Sequence, residues 1–328
     1  LGLPTGWEES SFYRIAGASR LSDERLVVLN GGTMEIRYFN PSGQFLLQSG
    51  GRGMGPGEFQ RFSNLQVLPS DSVLVYDARQ SRVSVYDAVG TLAYVTRLNG
   101  PPDLSPGDLV GRFPDRSFAM RYVATRFSTA KETVYRDMDL ILRQSPGGEL
   151  LDTIAVYPGA ELAAINRGGG QTQIMPPPFA RRRLYVMTPE GLVSGSNDGF
   201  EFITQDVQGD LRKIDRLLCE PEPVSAEDRE AIPPDMYPNI TFPSTKPTFD
   251  RILGDPLGGY WIERYRLPAD GRESQWEVID KEGAWVTTVM VPGDLQVTQI
   301  GRDFMLGTAR DSMGIEYVRL HRLLRRSR

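Results

Sequence analysis

Residues Gly50 to Gly100 read GGRGMGPGEFQRFSNLQVLPSDSVLVYDARQSRVSVYDAVGTLAYVTRLNG. A Gly/Pro-rich turn leads into Phe59, and four short apolar runs follow: Asn64–Leu68, Ser72–Tyr76, Arg82–Tyr86 and Thr91–Thr96. Each has strand length and is rich in Val, Leu and Tyr. Each stops at a turn signal, namely Pro69-Ser70-Asp71, Asp77–Ser81, Asp87–Gly90 and Asn99-Gly100. This is a four-stranded antiparallel meander, the unit that repeats radially in β-propellers.

The same punctuation recurs along the chain. Six turns fit between first and second strands: Ser22-Asp23, Pro69–Asp71, Pro114-Asp115, Pro189–Gly191, Asp255–Gly258 and Gly301–Asp303. Five fit between third and fourth strands: Asn40–Gly43, Asp87–Gly90, Ser145–Gly148, Asp206–Gly209 and Asp280–Gly283. Each of the five ends in Gly, suited to φ > 0, and begins with a polar side chain able to accept a hydrogen bond from the turn backbone. The sequence therefore predicts an all-β fold, a six-bladed β-propeller of four-stranded antiparallel blades, as one domain over residues 1–328. The blades fall at about 12–50, 51–100, 101–159, 179–218, 249–292 and 295–323. The last blade is completed by N-terminal residues, which removes an exposed edge, or else lacks its outer strand because the chain is trimmed; residues 1–8 themselves make a poor strand.

Composition agrees with a folded chain of repeated units. The 328 residues are 40% hydrophobic and 24% charged, and 34 Gly and 24 Pro suit frequent turns. A net charge of −5 gives no electrostatic reason to bind nucleic acid. One cysteine, Cys219, excludes an intrachain disulfide, and one histidine, His321, excludes a multi-His zinc site. No run reaches transmembrane length. The chain starts at Leu1 without Met, as a processed product would.

GPGEF at Gly55–Phe59, followed by LVYDARQSRVSVYDAVG, resembles the NHL-repeat type of six-bladed propeller. Lys246–Ile262, Trp276–Gly283 and Leu306–Arg322 resemble a bacterial branch of that group. The resemblance implies the fold. The single cysteine leaves the compartment open, and the missing Met fits a removed export signal, which favours an extracytoplasmic place, periplasmic or surface, over the cytoplasm. The resemblance implies little about function, because this fold hosts hydrolases, lyases and plain binding proteins.

In a meander blade the loops after strands two and four lie on one face of the disc. The long segments 125–136, 160–178, 219–248 and 265–275 all belong to that face. Val224–Ile232 within the third reads as a short helix capped by Ser225. Long loops on a rigid scaffold carry function, so this is the expected working face.

Phe12-Tyr13-Arg14, Phe62-Ser63-Asn64, Phe179-Ala180-Arg181 and Phe249-Asp250-Arg251 stand where innermost strands should begin. Residues i and i+2 share a strand face, so Arg14, Asn64, Arg181 and Arg251 are the expected ligand-binding residues at the channel mouth. Guanidinium groups converging there would take a carboxylate or phosphate. Alternatively, each Arg pairs with a carboxylate of a neighbouring blade and stitches the ring. Gly50–Gly57 lacks the Lys-Ser/Thr of a phosphate-binding loop and reads as an inter-blade turn. Asp77, Arg82 and Asp87 read as turn braces in preference to acid–base groups.

The function expected from these readings is a non-enzymatic binding propeller. It would act as a monomer on a protein or small anionic ligand, with no cofactor, no resident metal and no nucleic acid. The alternative is a calcium-dependent, lactonase-like hydrolase, whose site would need Glu, Asp and Asn oxygens around a central ion.

Overall fold

Each turn expected between third and fourth strands closes as its residues dictate. Gly43, Gly90, Gly148, Gly209 and Gly283 all have φ between +82° and +88°. The polar residue three positions earlier caps its own turn. Asp87 Oδ1, for example, accepts from Val89 N at 3.0 Å and Thr91 N at 2.9 Å. Asp206 Oδ1 accepts from Gln208 N and Asp210 N, each at 2.9 Å.

The structure, a computed structural model, describes residues 11–104, 107–124, 134–167, 171–233, 236–237, 240–267 and 273–325. Six antiparallel sheets are built from them. The first holds β1 (Ile15–Arg20), β2 (Leu26–Asn30), β3 (Glu35–Phe39) and β4 (Phe45–Gly50). The second holds β5 (Phe62–Val67), β6 (Val73–Asp77), β7 (Arg82–Tyr86) and β8 (Leu92–Arg97). The third holds β9 (Asp108–Arg112), β10 (Phe118–Ala124), β11 (Val134–Gln144), β12 (Leu150–Asn166) and β13 (Thr172–Met175). In the fourth are β14 (Arg183–Thr188), β15 (Gly191–Ser196), β16 (Glu201–Gln205) and β17 (Leu211–Arg216). In the fifth are β18 (Phe249–Gly254), β19 (Tyr260–Arg264), β20 (Ser274–Ile279) and β21 (Trp285–Val291). The sixth has β22 (Gln296–Ile300), β23 (Phe304–Arg310) and β24 (Glu316–Arg322).

The first strands touch in ring order, β1 to β5, β9, β14, β18, β22 and back to β1. A hydrophobic cluster fills each of the six junctions. The junction of sheets one and two holds Val27, Ile36, Phe59 and Val75. The closing junction of six and one holds Ala18, Val28, Phe39, Leu306 and Val318. Middle strands therefore bury both faces and read as continuous apolar runs: all five residues of β2 and of β6 are buried. The outer β4 alternates instead.

Two expectations are corrected. Blade three does not stop at Gly159, and not every blade has four strands. Its sheet has five, because β12 continues to Asn166 and β13 folds back onto it. Residues 160–166 and 172–175, within the 160–178 segment read as lying between blades, thus form part of a ribbon. The sixth sheet has three strands among the described residues; residues 1–10, where N-terminal closure would be sought, lie outside them, as do 125–133 and Gly168–Gly170. The helix α1 (Ala226–Glu230) is shorter than the expected span, but Ser225 caps it in a reciprocal box with Asp228. Among the described residues no helix is long and apolar enough to cross a membrane.

Asp77 braces the entry to β5. Its buried carboxylate accepts from Gln60 N at 2.6 Å, Arg61 N at 3.2 Å, Arg79 N at 2.9 Å, Gln80 N at 3.1 Å and Gln80 Nε2 at 2.9 Å. Asn30 and Asn197, at the ends of the corresponding strands, hold Tyr13 N and Arg182 N in the same way. Arg82 bonds the carbonyls of Met54, Gly55 and Glu58, which makes Gly50–Gly57 a tethered turn. Asp77→Ala leaves several partly buried N–H groups without their acceptor, and we expect urea unfolding to show a loss of about 2 kcal/mol. A loss below about 1 kcal/mol would refute this bracing role.

Candidate functional site

The four expected channel-mouth residues occupy two kinds of position. Phe62 and Phe249 are the first residues of β5 and β18, and a bulge separates each from Asn64 and Arg251. Both side chains then reach a carbonyl of the next inner strand. Asn64 Nδ2 donates to Leu109 O at 2.9 Å, and Arg251 Nη2 donates to Val297 O. Arg251 also lies 3.5 Å from Glu263 Oε2 and over the Trp276 ring, and burial holds its guanidinium below the usual range.

Phe12 and Phe179, by contrast, precede β1 and β14, and so do Arg14 and Arg181. Arg14 is exposed, has φ +58° and stacks on Tyr13 at 5.1 Å. Arg181 is buried and donates through Nη2 to Thr245 O at 2.6 Å and Thr245 Oγ1 at 2.8 Å. Its Nε is 3.8 Å from Asp198, and burial lowers its pKa. Arg251 is thus engaged by protein partners, whereas Arg181 is bonded through Nη2 and its buried Nη1 has no hydrogen-bond partner among the described residues.

The face that carries the long segments is tied together by charge. Arg136 on β11 meets Asp198 at 2.8 Å and Glu161 on β12 at 3.1 Å. This pins the five-stranded ribbon over sheet four. Burial raises the Asp198 pKa, but the bonds from Arg136 and Ser196 outweigh it and hold the carboxyl below its usual range. Arg167 beyond the ribbon donates to Met236 O at 3.0 Å, and Tyr237 OH to Pro176 O at 3.0 Å. Segment 219–248 is thereby anchored beside the ribbon.

Between this segment and sheet five opens a cavity of about 340 Å³. Glu220, Glu222 and Glu273 line it with Phe200, Tyr265 and Met290. Two guanidinium groups also reach it, and both are engaged: Arg264 with Glu277 at 2.9 Å, Arg266 with Glu263 at 3.7 Å and Gly293 O at 3.0 Å. Glu222 has only Lys246 at 3.8 Å, while Glu220 and Glu273 have no ion-pair partner among the described residues. Burial pushes the Tyr265 hydroxyl up to about 12, so it stays a neutral donor and acceptor at neutral pH.

A second cavity, of about 380 Å³, shares Phe200, Arg264 and Gln275 with the first. It runs down the flank between sheets four and five, past Leu217, Leu218 and Cys219 on one side and Trp285 and Thr288 on the other. Its floor is Glu277, which takes four side-chain donors: Arg264 Nε at 2.9 Å, Gln275 Nε2 at 2.8 Å, Trp285 Nε1 at 2.8 Å and Thr288 Oγ1 at 2.7 Å. Burial raises the Glu277 pKa, but these four bonds outweigh it and hold the carboxyl below the usual range.

None of these cavity residues was expected from the sequence. One signal was available: Cys219-Glu220-Pro221-Glu222-Pro223 is an extended stretch, because each residue before Pro avoids the helical region. Among the described residues no three or more His, Cys, Asp or Glu side chains are grouped to hold a metal ion.

Comparison with known proteins bears on the fold. Residues 13–104 match the model of the DUF5128 family, described as a 6-bladed beta-propeller. A member of the DUF4221 family from Bacteroides vulgatus aligns with a TM-score of 0.57 at 14% identity, over 96% of this chain and 95% of that one. A candidate exported protein of Bacteroides fragilis aligns with a TM-score of 0.51 at 14% identity, over 94% of this chain and 82% of that one. Regucalcin, a calcium-binding protein from Agrobacterium tumefaciens, aligns at 0.45 with 12% identity, over 95% of this chain and 91% of that one. No curated protein sequence matches the chain. The protein is a six-bladed β-propeller.

The Glu277 geometry sets a pH dependence. A carboxyl whose folded pKa is depressed contributes stability that is present above its unfolded pKa, about 4.3, and lost as pH falls through the folded value. Wild type should therefore be more stable than Glu277→Gln at pH 6. The gap should narrow steadily below about pH 4 in urea titrations. A gap independent of pH would rule out this role for Glu277.

Proposed function

We propose that this propeller is a binding protein, acting outside the cytoplasm, and that it holds a cationic group of its partner in the cavity between sheets four and five. The observation that carries the reading is the composition of that cavity. It opens on the face of the long segments, and it presents three carboxylates while its two guanidinium groups are already engaged. An ammonium or guanidinium entering it would meet Glu220 and Glu273, and the Tyr265 and Phe200 rings would add cation–π attraction. The volume falls within the range typical of ligand pockets.

At the channel mouth, Arg181 Nη2 and Arg251 Nη2 already bond Thr245 and Val297, which favours the acidic cavity over the anion site.

The test is a titration with N-acetyl-lysine methylamide, followed by NMR, with the glutamate analogue as control. We expect the lysine compound to bind with Kd of about 1 mM, as its size implies, and the glutamate compound not to bind. Glu220→Gln with Glu273→Gln should weaken binding roughly tenfold without changing the fold, and added salt should weaken it further. Equal binding of both compounds, or of neither, would defeat the proposal.

A further inference from the structure

The flank between sheets four and five exposes apolar side chains that the fold does not use. Leu218, just beyond β17, is 105% exposed, and Trp285 on β21 is 52% exposed. Both line the second cavity, with Leu217 and Phe200 behind them. The floor beneath is electrically closed, because Glu277 has its four donors and Arg264 is paired with it. An apolar group laid there would meet no unpaired charge, and Trp is the side chain most often found anchoring a partner.

The second cavity continues the first through Phe200, Arg264 and Gln275. One end of the combined groove is acidic and the other apolar. We infer that the groove receives an extended peptide segment of a partner protein. A Lys or Arg of that segment enters the carboxylate-lined cavity, and an apolar residue about two positions away rests on Trp285 and Leu218. The inference rests on the binding reading above and adds the class of partner. In an extended segment residues i and i+2 point to the same side, nearly 7 Å apart, so one peptide face can offer a cation and an apolar group to two adjoining cavities.

Calorimetry with capped tripeptides tests this. Leu-Ser-Lys and Lys-Ser-Leu are compared with versions carrying Ser in place of Leu, and with N-acetyl-lysine methylamide alone. At least one Leu peptide should bind roughly tenfold more tightly than its Ser control, as burial of a Leu side chain implies. That gain should vanish in Leu218→Ser and in Trp285→Ala, while Leu218→Ser binds the lysine compound as the wild type does. Leu218→Ser alters a fully exposed residue, so its result does not depend on an intact core. Two outcomes overturn the peptide inference and leave the first reading standing: no gain from Leu, or a gain that survives both variants, with the lysine compound still bound. Failure of the lysine compound to bind overturns both readings. A concentration-dependent dimer that Leu218→Ser abolishes would assign the groove to a second copy of the chain, and would likewise overturn the peptide inference.

Discussion

Six sheets close into a ring only if the first and sixth can satisfy one another across a joint that no backbone ladder among the described residues spans. Side chains carry out that task here. Gln299 Oε1 accepts from Arg20 N at 2.7 Å, and its Nε2 donates to Arg20 O at 3.3 Å. Thr298 Oγ1 donates to Ala18 O at 2.9 Å, and Glu316 accepts from Ile15 N at 2.9 Å. These bonds satisfy inner-strand backbone groups that would otherwise be left unpaired at an apolar joint, at a cost of about 1–3 kcal/mol for each buried one. With the cluster around Phe39 and Leu306, they fix the relative position of sheets that lie at opposite ends of the chain.

The same device runs round the ring. Asn64 and Arg251 each lend a side-chain donor to the neighbouring inner strand, at Leu109 and Val297. Packing then follows from geometry. Wedged between two neighbours, the middle strands must be apolar on both faces, and the aromatic set Phe202, Phe249 and Tyr260 fills the joint of sheets four and five at centroid separations of 5.1–5.2 Å. The groove proposed for binding lies beside that joint, and its walls come from sheets four and five and the segment between them.

How much of this was legible in the sequence depended on range. Turns are local, so the five Gly-closed turns stood where their residues put them, and Arg82–Tyr86 was read with its observed bounds. The ribbon of β12 and β13 was not legible. Gly168–Gly170 and Pro176–Pro178 punctuate it like a linker, whereas Arg136 holds it to Asp198, 62 residues away in sequence. The Phe-x-Arg repeat misled in a related way. Phe62 and Phe249 begin strands but Phe12 and Phe179 do not, and only pairing across the sheet tells the two cases apart. The cavity drew on Phe200, Glu220, Tyr265 and Met290, from separate stretches that share no pattern.

Cys219 gives the groove a property independent of what binds there. It is the only thiol in the chain, it is partly accessible, and its sulfur lies 2.9 Å from Arg264 Nη1 on the wall of the second cavity. A thiol-directed dye or spin label will attach at that one site in unmodified protein. Its rate of attachment, and the mobility of the probe once attached, then report whether the groove is open or filled. A probe at Cys219, positioned by the fold on the wall of the second cavity, would thus read occupancy of the proposed groove directly.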